Sequence, residues 1–180
     1  MSVKSLQSYF AKNGLLLCNL NKDLPSLDTV GGDWSSIIEL MEQGEVFYSK
    51  LYKGRVTYLS KELYYQIKPY KQRIDKLSPK SQEILDFIET VELATTKEIK
   101  VILNMHSTKE FNLTMDELVK ELLITFIKQD KILNANWGSF WWGSYKTWEK
   151  ISPHKTEINP IKINELLSDI MIEKQIKSLL

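Results

Sequence analysis

The sequence predicts an α+β, mainly helical fold in which the order helix, helix, helix, β-hairpin runs twice and is followed by a C-terminal helix. Three observations predict it. Apolar residues recur at helical spacing behind recognisable start signals. Two pairs of short strand-type runs are joined by glycine-containing links. Breakers at Gly14, Gly31-Gly32, Gly44, Pro69, Pro153 and Pro160 separate the segments.

Ser2 to Asn13 places Leu6, Tyr9 and Phe10 on one helical face, with Gly14 positioned to end the helix. Leu15 to Cys18 is an apolar run suited to a buried strand. Leu24, Leu27 and Val30 are spaced for a second helix, with Pro25 acceptable in its first turn. Asp33 is a good N-cap for a third helix, Trp34 to Gln43, which buries Trp34, Ile37, Ile38 and Met41. Val46 to Tyr52 and Arg55 to Ser60 then face each other across Lys53-Gly54, the right length for a tight hairpin. Ser60 caps a helix from Lys61 to Ile67. Pro69 forces a kink or restart, beyond which Tyr70, Ile74 and Leu77 continue an apolar stripe along a linker helix.

Ser78-Pro79 opens the next helix, to about Val91, and Thr95 to Glu98 has capping-box spacing for a helix burying Ile99, Ile102 and Leu103. Thr114 to Glu117 has the same spacing and opens a longer helix to Lys128, with the stripe Met115, Leu118, Val119, Leu122, Leu123 and Phe126. A second hairpin spans Lys131 to Trp137 and Phe140 to Trp148, turning at Gly138-Ser139. The last helix covers Ile163 to Leu179 and either docks on the body or mediates a homodimer. This order is that of two tandem winged helix-turn-helix modules with hairpin wings, residues 1–77 and 78–151, followed by a tail at 152–180.

Charge narrows the function. The 180-residue chain has 24 Lys+Arg against 23 Asp+Glu, a net charge of +1, which argues against a general nucleic-acid coat. The charge is unevenly placed. Residues 1–77 carry +3, residues 78–151 carry −2, and the tail is neutral. From Lys50 to Lys80 nine cations meet only Glu62 and Asp75, a local +7 able to neutralise several phosphates. The alternative is a solvated lysine face. The candidate DNA-binding set is Lys50, Tyr52, Lys53, Arg55, Lys61, Lys68, Lys71, Arg73 and Lys76, with the first four at the hairpin tip. The third helix, by contrast, offers Asp33, Glu39 and Glu42 with no Lys or Arg, a poor neighbour for phosphates. Holding DNA by wing and linker is therefore expected, and reading bases with a helix is not.

Four of the five tryptophans, Trp137, Trp141, Trp142 and Trp148, fall in the second hairpin segment. They suit a stacking platform for an unstacked base, or else fill the gap between hairpin, long helix and tail, the reading favoured by how large aromatics dominate cores. Adjacent Trp141 and Trp142 must point to opposite strand faces. His106 and His154 are isolated, Cys18 cannot form an internal disulfide, and Gly31-Gly32 lacks phosphate-loop context, so no metal, cofactor or nucleophile is expected. No run is long enough to span a bilayer and no secretory signal is evident, so a cytoplasmic location is expected.

At Gly44-Glu45-Val46-Phe47-Tyr48-Ser49-Lys50-Leu51-Tyr52-Lys53-Gly54-Arg55-Val56-Thr57-Tyr58-Leu59-Ser60 and Leu133-Asn134-Ala135-Asn136-Trp137-Gly138-Ser139-Phe140-Trp141-Trp142-Gly143 the chain resembles AlkZ-related proteins, winged-helix relatives of DNA glycosylases that excise alkylated and crosslinked bases. Pro25-Ser26-Leu27 and Gly31-Gly32-Asp33-Trp34 fit the same resemblance, which runs from Leu24 to Trp148. It implies a tandem winged-helix scaffold and a DNA partner. The glycosylases carry a Gln-apolar-Gln or Gln-apolar-Asp motif. Gln43-Gly44-Glu45, Gln66-Ile67-Lys68, Gln72-Arg73-Ile74, Gln82-Glu83-Ile84 and Gln129-Asp130-Lys131 do not supply it, and the chain is about half the expected enzyme size. A non-catalytic, DNA-binding, repair-related role is expected. The alternatives are a protein-interaction scaffold and, less favoured, a glycosylase.

Overall fold

The computed structural model describes residues 3–134, 137–155 and 157–180. Helix α1 (Val3–Lys12) buries Leu6 and Phe10 and leads through Gly14 into strand β1 (Leu15–Leu17). Gly14 is required for space, because a Cβ there would lie 2.8 Å from the Leu63 side chain. The expected helix from Leu24 to Val30 is instead a series of turns. Leu17 N–H donates to Pro25 O and Leu27 N–H to Leu17 O, bridging Leu17 to Ser26. The Thr29 hydroxyl bonds both N–H and C=O of Ser26, the side-chain competition that draws short polar residues out of helices.

Helix α2 (Trp34–Glu42) is capped by Asp33, whose carboxylate accepts from Ser36 N–H and the Ser35 hydroxyl, each at 2.8 Å. The backbone bond, then the hydroxyl bonds, lower the Asp33 pKa from 3.8 to about 2. A depressed carboxylate contributes stability above its unfolded pKa and loses it as pH falls through the folded one. Asp33→Ala is therefore expected to cost about 1 kcal/mol at neutral pH. The difference between the two proteins should vanish between about pH 4 and pH 2, read from urea midpoints across that range.

Strands β2 (Val46–Ser49) and β3 (Thr57–Ser60) pair from Val46↔Ser60 to Ser49↔Thr57. The ladder stops short of Tyr52 and Arg55 because hydroxyls take over its bonding. Ser49 Oγ donates to Thr57 O, while Thr57 Oγ1 donates to Arg55 O and accepts from Tyr52 N–H. The tight turn does lie at Lys53-Gly54, with φ of 50° and 71°, closed by Arg55 N–H on Tyr52 O. Helix α3 (Lys61–Ile67) follows, capped by Ser60. No linker helix restarts after Pro69: the chain makes two 3-10 turns, Lys68–Tyr70 and Ile74–Lys76, leaving Ile74 exposed.

Helix α4 (Pro79–Val91) starts at the Ser78 cap, and Glu117 accepts from Ser78 N–H and from the hydroxyls of Ser78 and Ser81. The short strand β4 (Ala94–Thr95) precedes α5 (Thr96–Ile102), where the Thr95–Glu98 capping box is complete. Ile99 is buried, but Ile102, expected inside, is 61% exposed. The long helix expected from Thr114 to Lys128 is displaced. Helix α6 (Thr108–Lys120) begins at the Ser107 cap, and Thr114 lies in its interior with its hydroxyl returned to Glu110 O. Leu122, at φ 57°, ends the helical path, and the β-favouring run Ile124 to Ile127 starts β5 (Ile124–Asn134). Strand β6 (Trp137–Ser144) pairs with it from Ile124↔Ser144 to Asn134↔Trp137, and residues 135–136 lie outside the described residues. Gly138 and Ser139, expected as the turn, are strand residues opposite Ile132 and Lys131. Tyr145 to Ile151 is helix α7, capped by Ser144, rather than strand. The tail holds two helices instead of one, α8 (Pro160–Leu167) and α9 (Glu173–Leu179).

Each half thus contributes one antiparallel three-stranded sheet, ordered β1-β3-β2 and β4-β6-β5, with the second hairpin strand central in both. The two apolar cores are each shared between the halves. One joins Leu6, Ile37, Tyr48 and Tyr58 to Ile84, Ile99, Leu118 and Phe126. The other joins Phe47, Leu63 and Tyr64 to Leu122, Trp148, Ile163 and Leu167. A reciprocal bond reinforces the seam: Thr125 Oγ1 donates to Tyr48 O and accepts from Tyr48 N–H.

Candidate functional sites: the basic segment and an aromatic cleft

The basic segment divides into cations already held by carboxylates and cations left at the surface. Lys50 pairs with Asp116, Lys61 with Glu45 at 3.3 Å, Lys68 with Glu149 at 2.7 Å, and Lys80 with Glu83 at 3.0 Å. Lys68 and Glu149 also tie the halves together, since Glu149 accepts from the Tyr64 hydroxyl and Gln72 donates to that same oxygen. Lys71 is half-buried. Desolvation lowers its pKa, Glu121 opposes that, and neighbouring Arg73 and Lys120 lower it further. Lys71 therefore lies near two further cations, Arg73 and Lys120, and one carboxylate, Glu121.

Lys53, Arg55, Arg73 and Lys76 are exposed and have no ion-pair partner among the described residues. Gly54, between the first two, has nothing within 4 Å of where a Cβ would be, so the turn projects into solvent. Tyr52 departs from the expectation. It is 2% exposed and packed in the second core, with the Lys53 ammonium 5.0 Å above its ring. Its ring is buried in that core rather than presented at the tip of the turn. Among the described residues, the +7 of the sequence thus leaves four exposed, unpaired cations, because Asp116 of α6, Glu149 of α7, Glu83 of α4 and Glu45 pair with four of the others and Lys71 is half-buried.

Helix α2 lies against the second hairpin. Trp34 stacks on Phe140 at 6.0 Å between ring centroids, and a Glu42 carboxylate oxygen accepts from Gln129 N–H at 2.9 Å. Its remaining exposed polar residues are Ser35, Glu39 and Gln43. This arrangement agrees with the sequence in giving α2 no cation to meet a phosphate.

The tryptophans do not form one group. Trp148 sits on α7, 1% exposed, against Phe47 at 5.1 Å, Tyr64 at 4.8 Å and Tyr65 at 6.2 Å. Trp141 lies on one strand face, partly exposed, with the Lys128 ammonium 5.1 Å above its ring. Trp142 lies on the other, its indole N–H donating to Thr96 Oγ1 at 3.1 Å. The Trp137 side chain is outside the described residues.

Trp142 belongs to a site that sequence reasoning missed. A cleft of about 490 Å³ opens between the halves, walled by Trp34 and Tyr48 from the first and by Phe111, Phe140 and Trp142 from the second. Tyr48 packs edge-on to both Phe140 and Trp142 at 5.7 Å. The Lys50–Asp116 pair, the amides of Asn19 and Asn112 and the hydroxyls of Thr96 and Ser139 supply its polar side chains, the last two already bonded to the Trp142 N–H and to Asp130. Burial is the main cause that raises the Tyr48 phenol pKa, which keeps it protonated. The available signal was the aromatic content of both hairpins; their apposition depends on how the halves pack. A second cleft of about 470 Å³ is lined by Glu45, Lys61, Glu62 and His154, where Lys61 pairs with Glu45 and a His154 ring nitrogen lies within hydrogen-bonding distance of Glu62.

Among the described residues no group of His, Cys, Asp and Glu could hold a metal, and no helix is long and apolar enough to cross a membrane. The apolar stripe of the tail is spent within the chain: Ile163 and Leu167 pack with Leu63 and Ile67 of α3 in the second core, alongside Ile176 and Leu179. Comparison with curated proteins and with solved structures finds no match to either. The family model described as AlkZ related matches residues 22–179, and the chain belongs to that family.

Proposed function

We propose that this protein is a non-catalytic, repair-related DNA-binding protein built from two tandem winged-helix modules, residues 1–77 and 78–151, with 152–180 as a strap over the first. Family membership supports a link to DNA repair. The matching strand orders β1-β3-β2 and β4-β6-β5 support the module reading, as does the shared order helix, strand, helix, two strands, to which the second half adds one helix. The observation that carries the DNA contact is the set of exposed cations without ion-pair partners. Lys53 and Arg55 lie on the projecting turn, and Arg73 and Lys76 on the linker, where Lys71 lies near Arg73 and Lys120. Such contacts grip phosphates and give little base selectivity. Lys50, Lys61 and Lys68 contribute little, because each is already paired with a carboxylate.

The test is duplex affinity as a function of salt. Four to six phosphate contacts give a log–log slope of roughly −4 to −5, with little dependence on duplex sequence. A flat salt dependence, or no binding at low salt, removes the reading.

A further inference from the structure

We propose that the cleft between the two halves is a binding site for an uncharged, flat heteroaromatic ring of purine type, with the adenine edge as the best match. Its shape comes first. At about 490 Å³ it falls within the usual range of small-molecule sites, and it lies where two structural units meet. Its walls are five aromatic rings from both halves, a surface on which a planar ring stacks.

The charges then select among planar ligands. An aromatic box with one carboxylate favours a cation, and one with a lysine favours an anion. Here Lys50 and Asp116 are bonded to each other, so neither net charge is on offer and a charged ligand would have to break the pair. The groups left to read an edge are the amides of Asn19 and Asn112, both exposed and making no side-chain hydrogen bond among the described residues. An amide presents one donor and one acceptor side by side, the complement of adenine's adjacent acceptor and donor. The Thr96 hydroxyl already receives the Trp142 N–H, which holds that ring in place as a wall.

The ring has two sources, a free nucleoside or a base displaced from a DNA strand, and titrations followed by tryptophan fluorescence separate them. Trp34 and Trp142 line the cleft and report occupancy. Adenosine is expected to bind saturably, while choline and benzoate, as charged probes, do not. Loss of the edge-reading amide in Asn112→Leu, an exposed position on α6, and of the stacking wall in Trp142→Leu should each weaken binding about tenfold. If the source is DNA, a duplex with one unpaired adenine binds more tightly than its fully paired counterpart and free adenosine binds weakly. That outcome also supports the site.

The proposal is overturned if neither adenosine nor the unpaired adenine is preferred, if choline or benzoate binds as well, or if Asn112→Leu changes nothing. Should Trp142→Leu fail to fold, Asn112→Leu alone decides. The free-nucleoside arm is independent of the phosphate-gripping reading. Reversing the charges of Lys53 and Arg55 should weaken duplex binding roughly a hundredfold or more and leave adenosine binding intact.

Discussion

Trp148→Ala should lower stability by about 3–5 kcal/mol, the largest loss expected among the tryptophans whose side chains are described. The side chain is 1% exposed and lies at the meeting point of Phe47 from β2, Tyr64 and Tyr65 from α3 and its own helix α7. Truncation removes apolar burial and leaves a cavity whose walls come from both halves and cannot collapse independently. Trp148→Phe should lose much less, since the indole N–H has no partner among the described residues and the aromatic packing persists. Trp141→Ala is the comparison. That ring is partly exposed beneath the Lys128 ammonium, so a change of about 1 kcal/mol or less is expected. Urea unfolding gives all three values from midpoint shifts at constant slope. Equal losses for Trp148→Ala and Trp141→Ala would show that the α7 packing is not what joins the halves.

The second large effect concerns DNA. Lys53→Glu with Arg55→Glu should weaken duplex binding by roughly a hundredfold or more at low salt and reduce the salt slope by about 2, one per phosphate contact removed. Both residues are exposed on a projecting turn, so folding stability should change by about 0.5 kcal/mol or less. The informative control is Lys150→Glu. Lys150 is exposed but ion-paired with Glu92 at 2.8 Å, and it lies on α7, away in sequence from the basic segment. Its reversal should leave affinity nearly unchanged. If it costs as much as the turn variant, the protein is responding to total charge, and no defined surface holds the DNA. Fluorescence anisotropy with one duplex at several salt concentrations measures all of these.

Local chemistry was readable wherever a cap acts alone: Asp33, Ser60, Ser78 and the Thr95–Glu98 box all start helices as their side chains dictate. The Lys53-Gly54 turn was readable for the same reason, since positive φ at both positions is a local demand. Failures came where two local rules compete. Thr114 has capping-box spacing, but Ser107 offers an earlier cap, and the β-branched run at Ile124 ends the helical stripe that Leu122, Leu123 and Phe126 seemed to extend. Those three residues are buried as expected, yet on a turn and a strand.

Composition, caps and turn chemistry therefore determined most of the helix starts, the first hairpin, the poverty of α2 in cations and the concentration of positive charge between Lys50 and Lys80. Each depends on residues within a few positions of one another. Tertiary structure alone decided which charges remain available, because Asp116, Glu149 and Glu45 reach their lysines from elsewhere in the chain and cancel them. It also decided the fate of the aromatics. Tyr52 and Trp148 went into a core shared by both halves, while Trp34, Tyr48, Phe140 and Trp142 met around a cleft. The physical reason is the same in both cases: Coulomb pairing and ring packing act between groups close in space, and sequence distance carries no information about that until the chain has folded.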